Sequence, residues 1–405
     1  MSLTQVLRES EMDRFLTGNP QITYFKSVYR RHTPFYKGVH TYQEHLSVGG
    51  RTIKEELSYG SYDLITNIFL ENKIEQSVGG TIFANLGNNI INEIKFNVGG
   101  QALFQTYGLY MEARAELDHP YVPSIDSTNS VPPIMVGTTL SKCNTGSQYN
   151  VQTIAGGVTG LASVTTTDTF YTYPNFYFCR DYGNAFPICA LNNTEVELEI
   201  KYRENLEIFG GTASEFTSTV NVEYVKLSDD ERMRFINNTE SYIFYDIEHL
   251  SYQNPLDYNN GGKNHPIRQF FFVGENTASA AATSHSTPVS LSGLSPSLNG
   301  IDLKINSESL YENEATNLSI FTKQNINKMY PGYGRELGTG SQKGYTDSIG
   351  VHAFCLDTTN TPSGHLSANI PFIVYFKNAT GNIQTYLEVI KYYRIMGGQL
   401  HTIYI

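Results

Sequence analysis

Hydrophobic and polar residues alternate along most of the chain, which is the pattern of β-strands with one buried and one exposed face. The segments NEIKFNV, IDLKINSE and IPFIVYFKN follow this pattern in both halves of the sequence. The clearest example is TEVELEIKY, in which four apolar residues alternate with four charged residues: Val196, Leu198, Ile200 and Tyr202 against Glu195, Glu197, Glu199 and Lys201. The sequence therefore predicts a mainly β protein.

Helical patterns are few and short. The best are YGLYMEARAELD (Tyr107–Asp118) and DDERMRFINN (Asp229–Asn238). The second begins with acidic residues, which suit the positive end of a helix dipole. Near the N-terminus, residues 2–16 form a ragged amphipathic pattern that Gly18 and Pro20 end. We therefore predict one short helix before residue 17 and two further helices within the β-rich part.

The segment after this helix carries strong β-formers between Ile22 and Tyr29, followed by Arg30 and Arg31. The β-formers predict that the chain enters its first strand near residue 22. Arginine pairs suit carboxylates and aromatic faces at interfaces as well as phosphate. Because the chain as a whole is acidic, the two arginines favour an anchor at an interface or within the chain over a nucleic-acid arm.

The order of sequence signals is the same in the two halves. IKFNVGGQALFQTYGLYMEA and GNAFPICALNNTEVELEIKY in the first half are matched by IDLKINSESLYENEATNLSI and PSGHLSANIPFIVYFKN in the second. We therefore predict two similar β-domains, and many short strands favour double-sheet jelly rolls over up-and-down barrels. The predicted division is an N-terminal arm with a short helix at 1–21, a first jelly roll at 22–208, a linker at 209–219 and a second jelly roll at 220–405.

Two long stretches rich in small and polar residues, Asp118–Thr169 and Glu275–Gly300, interrupt the strand pattern. Connections of this length in a compact domain are usually functional surface loops. We expect both stretches to decorate one end of the β-scaffold.

Composition describes a folded, acidic protein. Only 17% of the 405 residues are charged, against about 25% in an average domain, and there are 29 Tyr and 22 Phe. The formal net charge of −11 argues against broad binding to nucleic acid or to an anionic membrane. The longest apolar stretches, QFFFV and IPFIVYF, are too short to span a bilayer. The first residues lack the apolar core of a secretory signal, so we expect a soluble protein made in a reducing compartment.

No motif of a catalytic or cofactor site stands out. GxSxG, HExxH, Walker A and GxGxxG after a strand do not occur. The ten histidines, among them His249 and His265, are scattered, and the Glu195–Glu199 carboxylates share one exposed face instead of facing each other across a sugar. Four cysteines lack metal-type spacing and are expected to be reduced thiols: Cys143, Cys179, Cys189 and Cys355. We therefore predict no catalytic residues, no cofactor and no metal.

Six segments carry a resemblance to a known family. The most specific is LTGNPQITYFKSVYRRHTPF; the others are NLGNNIINEIKFNVGGQALFQTYGLYMEARAEL, YGNAFPICALNNTEVELEIKY, NHPIRQFFFV, DSIGVHAFCLDTTNTPSGHLSANI and YYRIMGGQ. In this order, and along nearly the whole chain, they resemble segments of the major capsid proteins of nucleocytoplasmic large DNA viruses. By this resemblance the chain is identified as a member of that double jelly-roll family.

The resemblance implies a structural role without catalysis. Members of the family have two tandem eight-stranded antiparallel jelly rolls, and three chains form a homotrimer that makes a pseudo-hexagonal capsomer of an icosahedral capsid. The arm, Met1 to Leu16, would then lie at the inner base of the capsomer, beside minor capsid proteins and close to an inner membrane. The long loops would crown the outer surface. The resemblance further implies contacts with neighbouring capsomers, no direct contact with nucleic acid, and a place in the virion after assembly in the host-cell cytoplasm.

Other functions stay open on the sequence. One is a minor capsid or vertex protein of the same lineage, for which we expect pentamers. A second is a carbohydrate-binding β-sandwich, against which the absence of Trp counts, because Trp is a favoured stacking surface for sugar rings. A nucleic-acid role ranks third because of the net negative charge.

Overall fold

The computed structural model describes most of the predicted β-scaffold. The described residues are 18–27, 29–57, 60–75, 81–82, 86–118, 161–162, 168–174, 176–192, 194–204, 215–250, 255–258, 265–274, 298, 300–310, 318, 320–330, 349–358, 363–377 and 383–403. The predicted helix at 2–16, residue Cys143, positions 209–214 of the predicted linker and most of the two predicted loops lie outside them.

Strands make up most of the described chain. They are β1 (Phe35–Thr41), β2 (Thr52–Glu56), β3 (Leu64–Glu75), β4 (Thr81–Ile82), β5 (Ile91–Val98), β6 (Gln101–Tyr107), β7 (Leu161–Ala162), β8 (Asp168–Thr172), β9 (Val196–Tyr202), β10 (Glu215–Leu227), β11 (Glu240–Leu250), β12 (Leu256–Asp257), β13 (Ile267–Gly274), β14 (Gly300–Ile305), β15 (Glu308–Ser309), β16 (Ile349–Ala353), β17 (Phe372–Lys377), β18 (Ile383–Met396) and β19 (Gln399–Ile403).

The helices are short. They are α1 (Leu86–Asn89), α2 (Gly108–Asp118), α3 (Asp229–Asn237) and α4 (Asn325–Met329), with 3-10 turns at Tyr177–Cys179, Tyr182–Asn184 and Ile188–Ala190 and a π-helical turn at Ile320–Gln324. The two helices predicted within the β-rich part are thus confirmed as α2 and α3. Across the part of the chain that is described, no helix has the length and apolar character needed to cross a membrane.

Both halves of the chain build the same arrangement of antiparallel sheets. In the first half the strand orders are β1-β10-β3-β8 and β2-β9-β5-β6, and in the second they are β11-β18-β13-β16 and β12-β17-β14-β15. When the strands of each half are counted along the chain without the short β4–β7 pair and β19, both halves read 1-8-3-6 and 2-7-4-5. This order describes two packed sheets of a jelly roll. The predicted double jelly roll is confirmed.

The repeated sequence signals fall on equivalent strands. The hairpin β5–β6 of the first half corresponds to β14–β15 of the second, and β9 corresponds to β17. Both hairpin turns place two successive residues in the left-handed region: Gly99 (φ 60°) and Gly100 (φ 76°) in one, Asn306 (φ 51°) and Ser307 (φ 69°) in the other. Two such residues form the type I′ turn, whose twist matches that of the flanking strands.

Strand faces follow the alternation of the sequence. In β9 the apolar residues Val196, Leu198 and Ile200 are buried, while the charged residues between them lie on the outer face. By contrast, every residue of β13 is buried. A continuous apolar run is typical of a strand covered on both faces. Strand β13 therefore has packed layers on either side.

The first strand begins later than predicted. Residues 22–27 and 29–34 form no strand, and β1 starts at Phe35. Ile22, Tyr24 and Phe25 are 69%, 90% and 99% exposed. β-propensity mostly reflects packing against neighbouring strands, so these β-formers stay out of a sheet where no strand pairs with them. The compact units of the chain are Met1–Pro34 and Phe35–Ile405, and both jelly rolls belong to the second unit.

The predicted linker at 209–219 is wrong from residue 215 onwards. Residues Glu215–Leu227 form β10, which pairs with β1 and β3 in the first jelly roll. Phe216, Val220 and Val222 are buried in the core of that jelly roll. Burial of these alternating apolar residues favours a strand more strongly than the small residues before them favour a flexible linker. Residues 220–227, predicted to open the second jelly roll, therefore complete the first.

We expect Gly350→Ala to destabilise the second jelly roll. Gly350 on β16 pairs with Phe272 on β13, and a Cβ atom at position 350 would overlap the buried Phe272 ring. Overpacking of this kind costs about 1–3 kcal/mol, which urea unfolding would detect. The matched control is Gly183→Ala, where the nearest atom to a new Cβ is 3.8 Å away. Equal unfolding midpoints for the two variants would contradict the packing of Phe272 over Gly350.

Candidate functional site

The two jelly rolls meet at β11 and β18, two long paired strands of the second jelly roll. Side chains of these strands enter two separate hydrophobic cores. Phe244, Tyr393 and Ile395 pack in the core of the first jelly roll, whereas Leu387, Val389 and the partly buried Leu250 pack in the core of the second. A rotation of one jelly roll against the other would break these contacts, so the joint holds them in one orientation.

Helix α2 closes the joint from the outside. It belongs to the first jelly roll in sequence, but it packs on the outer face of the sheet β11-β18-β13-β16. The ring of Tyr110 on α2 meets that of Phe271 on β13 edge to face, with centroids 5.5 Å apart. The apolar side chains of this third cluster include Leu109, Ala113, Leu117, Ile247, Val273 and Tyr386. These contacts explain why β13 is buried on both faces.

A buried ion pair lies at the joint, between Arg268 on β13 and Glu388 on β18. Arg268 Nη1 is 2.9 Å from Glu388 Oε2, and both side chains are fully buried. From the first jelly roll, Arg180 approaches the other carboxylate oxygen at 3.5 Å. The guanidinium of Arg268 also lies over the ring of Tyr245, 4.1 Å from its centroid. One carboxylate thus links residues of both jelly rolls.

The electrostatics of Glu388 follow from this arrangement. Burial would raise the pKa of Glu388, but the charge of Arg268, with those of Arg114 and Arg180, outweighs burial and holds the pKa below its usual value. Glu388 is therefore ionised at neutral pH. Its removal would leave Arg268 as a buried charge without a close carboxylate.

A second ion pair lies at the joint, between β18 and β11 of the second jelly roll. Lys391 Nζ on β18 lies 2.6 Å from Asp246 Oδ2 and 3.3 Å from Glu248 Oε1 on β11. The backbone N–H of Gln105, on β6 of the first jelly roll, donates to Asp246 Oδ1 at 2.8 Å. Burial raises the pKa of Asp246 against the opposing effect of Lys391. These polar groups separate the two apolar cores along β11 and β18.

The outer face of the sheet β2-β9-β5 carries alternating charges, and we call it the charged face. Lys54 lies 2.9 Å from Glu197 and 3.3 Å from Glu199, and Lys95 lies 2.8 Å from Glu93. The sequence prediction placed the Glu195–Glu199 carboxylates on one exposed strand face; Glu197 and Glu199 do lie on the outer face of β9, half-buried, whereas the exposed Glu195 directly precedes the strand. The charged face consists of Lys54, Glu56, Glu93, Lys95, Glu195, Glu197, Glu199 and Lys201.

The outer face of the other sheet of the first jelly roll differs in chemistry. We call it the aromatic face after three of its side chains, and its members are Phe69, Glu71, Lys73, Tyr171, Tyr173, Thr217 and the buried Thr219 and Asn221. The ring of Phe69 lies 6.1 Å from that of Tyr171 and 5.7 Å from that of Tyr173. Glu71 and Lys73 lie in the middle of this face on β3, 3.8 Å from each other, with Glu71 between Thr219 and Tyr171. Aromatic side chains of this kind are enriched at protein–protein interfaces.

Residues 18–27 and 29–34 form a third surface, which we call the basic strip. Besides the exposed Ile22, Tyr24 and Phe25, its Tyr29 is 89% exposed. Its charged residues are all basic and exposed, namely Lys26, Arg30 and Arg31. The two arginines singled out in the sequence therefore lie on a surface that is both aromatic and cationic.

The other sequence candidates do not converge on a reactive centre. His249 bonds to Gln384 at 2.6 Å, and His265 lies 3.7 Å from Glu248. Residues Asp229–Glu231 form the first turn of α3, as predicted. Within the residues that the structure describes, no group of three or more His, Cys, Asp or Glu side chains could hold a metal ion.

The described cysteines are buried or half-buried thiols. Cys179, Cys189 and Cys355 are free, and burial raises the pKa of Cys179 and of Cys189 to about 12. Since the thiolate is the reactive form, both stay unreactive at neutral pH. Their geometry is that of structural residues.

Sequence reasoning missed the ion pairs of the joint. Arg268 stands next to the apolar run QFFFV, and Glu388 stands within the mostly apolar strand β18. A charged residue inside a run of buried residues signals a buried partner, because an isolated buried charge is costly. That signal was present, but the partner lies 120 residues away and cannot be identified from spacing.

Comparison with known families gives one match over more than half of the chain. The model described as the major capsid protein N-terminus matches residues 23–246. The major capsid protein of Pyramimonas orientalis virus is 27% identical over 276 residues, which cover 67% of this chain and 64% of that protein. The major capsid protein of Paramecium bursaria Chlorella virus 1 is 26% identical, over 70% of this chain and 56% of that protein. The chain spans less than two thirds of either relative.

Solved structures share the fold. The PBCV-1 VP54 protein, solved as a crystal structure and fitted into a reconstruction of the virophage Sputnik, aligns with a TM-score of 0.68 at 17% identity, covering 95% of this chain and 100% of that chain. The Faustovirus major capsid protein aligns with a TM-score of 0.58 at 9% identity, covering 96% and 94% of the two chains. Both likenesses confirm the double jelly roll.

We expect Glu388→Ala to lower the free energy of unfolding by about 3–5 kcal/mol, because it leaves Arg268 buried without its carboxylate. Chemical denaturation would measure the loss. The double variant Arg268→Met with Glu388→Leu should recover most of it, since apolar pairs of similar volume replace buried ion pairs at little cost. A Glu199→Ala control on the charged face should stay near wild type. A mild Glu388→Ala effect would contradict the buried pair.

We expect His352 to make the protein less stable in mild acid. Burial lowers the pKa of His352 to about 4, below the ordinary value of about 6.5. As pH falls the unfolded chain binds the proton first, so stability that is complete above pH 6.5 is lost towards pH 4. Between pH 7 and 5 this loss is up to about 2 kcal/mol. Urea unfolding of His352→Phe should show a shallower loss than wild type over this range, and parallel curves would refute the assignment.

Proposed function

The chain belongs to the major capsid protein family, whose N-terminal model matches residues 23–246, and we propose that it is a structural protein of an icosahedral virus shell. Three copies associate as a homotrimer, and their six jelly rolls form a pseudo-hexagonal capsomer that tiles the facets of the capsid. The protein acts by shape and self-association, without a catalytic step. Its place is the virion, and assembly occurs in the cytoplasm of the host cell.

One observation carries this proposal: two jelly rolls of identical strand order are held in one orientation by β11 and β18, whose side chains pack in both cores. A ring of three chains then presents six similar wedges, because each chain supplies two. If the two jelly rolls could rotate freely, the six wedges would not form a regular block. The ion pairs and the α2 cluster at the joint therefore serve the assembly by keeping the angle between wedges constant.

The aromatic face is the best candidate for a wall between subunits. Its aromatic side chains Phe69, Tyr171 and Tyr173 are of the type enriched at interfaces, and the charges of Glu71 and Lys73 lie close enough to pair with each other. At roughly 25 cal/mol per Å² of apolar surface, interfaces of a few thousand Å² outweigh the cost of association and make a permanent trimer. Contacts between capsomers would be smaller and more polar, so that misplaced capsomers can dissociate.

The places of the remaining parts of the chain are proposed from the resemblance to this family. We infer that the arm at residues 1–21 lies at the inner base of the capsomer, where it meets minor capsid proteins close to an inner membrane. The stretches Asp118–Thr169 and Glu275–Gly300 would face outwards, towards solvent or host. Direct contact with nucleic acid is not expected, because the net charge of −11 repels it.

We expect the purified protein to be a trimer. Light scattering should give three times the chain mass of 45.4 kDa, and negative-stain images should show blocks with pseudo-sixfold outlines. Pentamers would instead indicate a vertex protein of the same lineage. A monomer at all concentrations, or specific glycan binding or hydrolysis in a screen, would contradict the proposed function and favour a carbohydrate-active β-sandwich.

A further inference from the structure

The basic strip exposes an unusual amount of aromatic surface. Phe25 is 99% exposed, Tyr24 90% and Tyr29 89%, and Ile22 adds an aliphatic side chain. Large apolar side chains that are exposed singly need no explanation, but a contiguous group marks an interaction site. Tyr, Phe and Arg are also the residue types enriched where proteins contact each other. The strip therefore has the composition of one half of an interface.

The charge of the basic strip indicates the chemistry of the surface that it binds. Residues 18–34 contain Lys26, Arg30 and Arg31 and no acidic residue. Since these three positive charges are included in the net charge of −11, the rest of the chain carries a formal charge of −14. The strip is thus a basic segment attached to an acidic body, and it is complementary to the body of another copy.

The acidic body also argues against other partners of a basic, aromatic strip. Anionic lipid surfaces and nucleic acids would attract the strip but repel the body that carries it. A second copy of the chain supplies negative charge without this penalty. Neighbouring copies are also abundant in any assembly of this protein, and to that extent the argument rests on the proposed function.

The charged face is the acidic surface on which the strip can dock. It carries Glu56, Glu93, Glu195, Glu197 and Glu199 against only Lys54, Lys95 and Lys201. Glu56 and Glu195 are exposed at its edge, outside the ion pairs that Lys54 and Lys95 form. They can therefore accept guanidinium groups without disrupting the existing cross-strand pairs.

From these observations we propose that the basic strip of one copy docks on the charged face of a second copy. Arg30 and Arg31 meet the carboxylates of that face, and Phe25 and Tyr29 bury their rings beside them. This is a contact between different surfaces of identical chains. Closed rings form from such heterologous contacts when the rotation between copies closes.

Charge reversal tests the contact. We expect Arg30→Glu with Arg31→Glu to weaken self-association at least tenfold, measured by sedimentation over a dilution series at low ionic strength. Glu56→Lys with Glu195→Lys should weaken it similarly, because the same charge pairs become repulsive. The variant that combines all four substitutions should recover at least part of the wild-type affinity, since the charges are then exchanged and not lost.

Matched controls separate this contact from general effects of charge and folding. Arg234→Glu with Lys328→Glu reverses two exposed basic residues outside the strip and should leave association unchanged. Phe25→Ser should weaken association even at high salt, whereas Leu356→Ser, which alters another exposed apolar side chain (89%), should not. Unchanged thermal midpoints in all variants would show that the fold is intact.

Three outcomes would overturn the inference. In the first, reversal of Arg30 and Arg31 leaves self-association as in wild type. This result would contradict a role of the basic strip in self-association, but it would be compatible with a trimer and with the proposed function. In the second, the four-substitution variant shows no recovery, which removes the charged face as the acceptor. In the third, wild type binds vesicles of phosphatidylcholine and phosphatidylserine through Arg30 and Arg31, while self-association does not depend on these two arginines. Lipid would then be the partner of the strip. A wild-type protein that never self-associates would defeat both proposals together.

Discussion

Continuous pairing of β11 with β18 across two hydrophobic cores is the constraint on which the rest of the structure depends. Backbone hydrogen bonds make the two strands a single stiff ribbon, and their side chains are buried at both ends. Separate domains normally move against one another when their interface is small and polar. Here the interface is built from the cores themselves, so the two jelly rolls behave as one body with one internal angle.

The polar groups inside this joint have a different effect from the apolar ones. Buried ion pairs add little net stability compared with apolar residues of the same size, but each accepts only the partner that satisfies it. Arg268 with Glu388, and Lys391 with Asp246, therefore favour one register of β13, β11 and β18 over shifted alternatives. We interpret them as devices of specificity, whereas the α2 cluster and the shared cores supply stability.

The outer surfaces of the first jelly roll suit different kinds of contact with other copies of the chain. The aromatic face suits burial against another copy, and the charged face suits contacts that stay partly hydrated. The basic strip complements the second of these faces. A protein whose function is to repeat itself needs such distinct faces, because each must recognise one surface of the next copy and reject the others.

The sequence by itself determined the local structure and the fold class. Alternation in β9 and β17, the turn residues Gly99 and Gly100, and the acidic start of α3 act within a few residues, so their outcome can be read from the chain. Only the tertiary structure decided where β-formers find a partner: Ile22, Tyr24, Phe25 and Tyr29 lie exposed, while residues 215–219 join a sheet. It alone also paired Arg268 with Glu388 and Asp246 with Lys391. Contacts between residues more than a hundred positions apart depend on how whole strands pack, and one chain's local pattern does not contain that information.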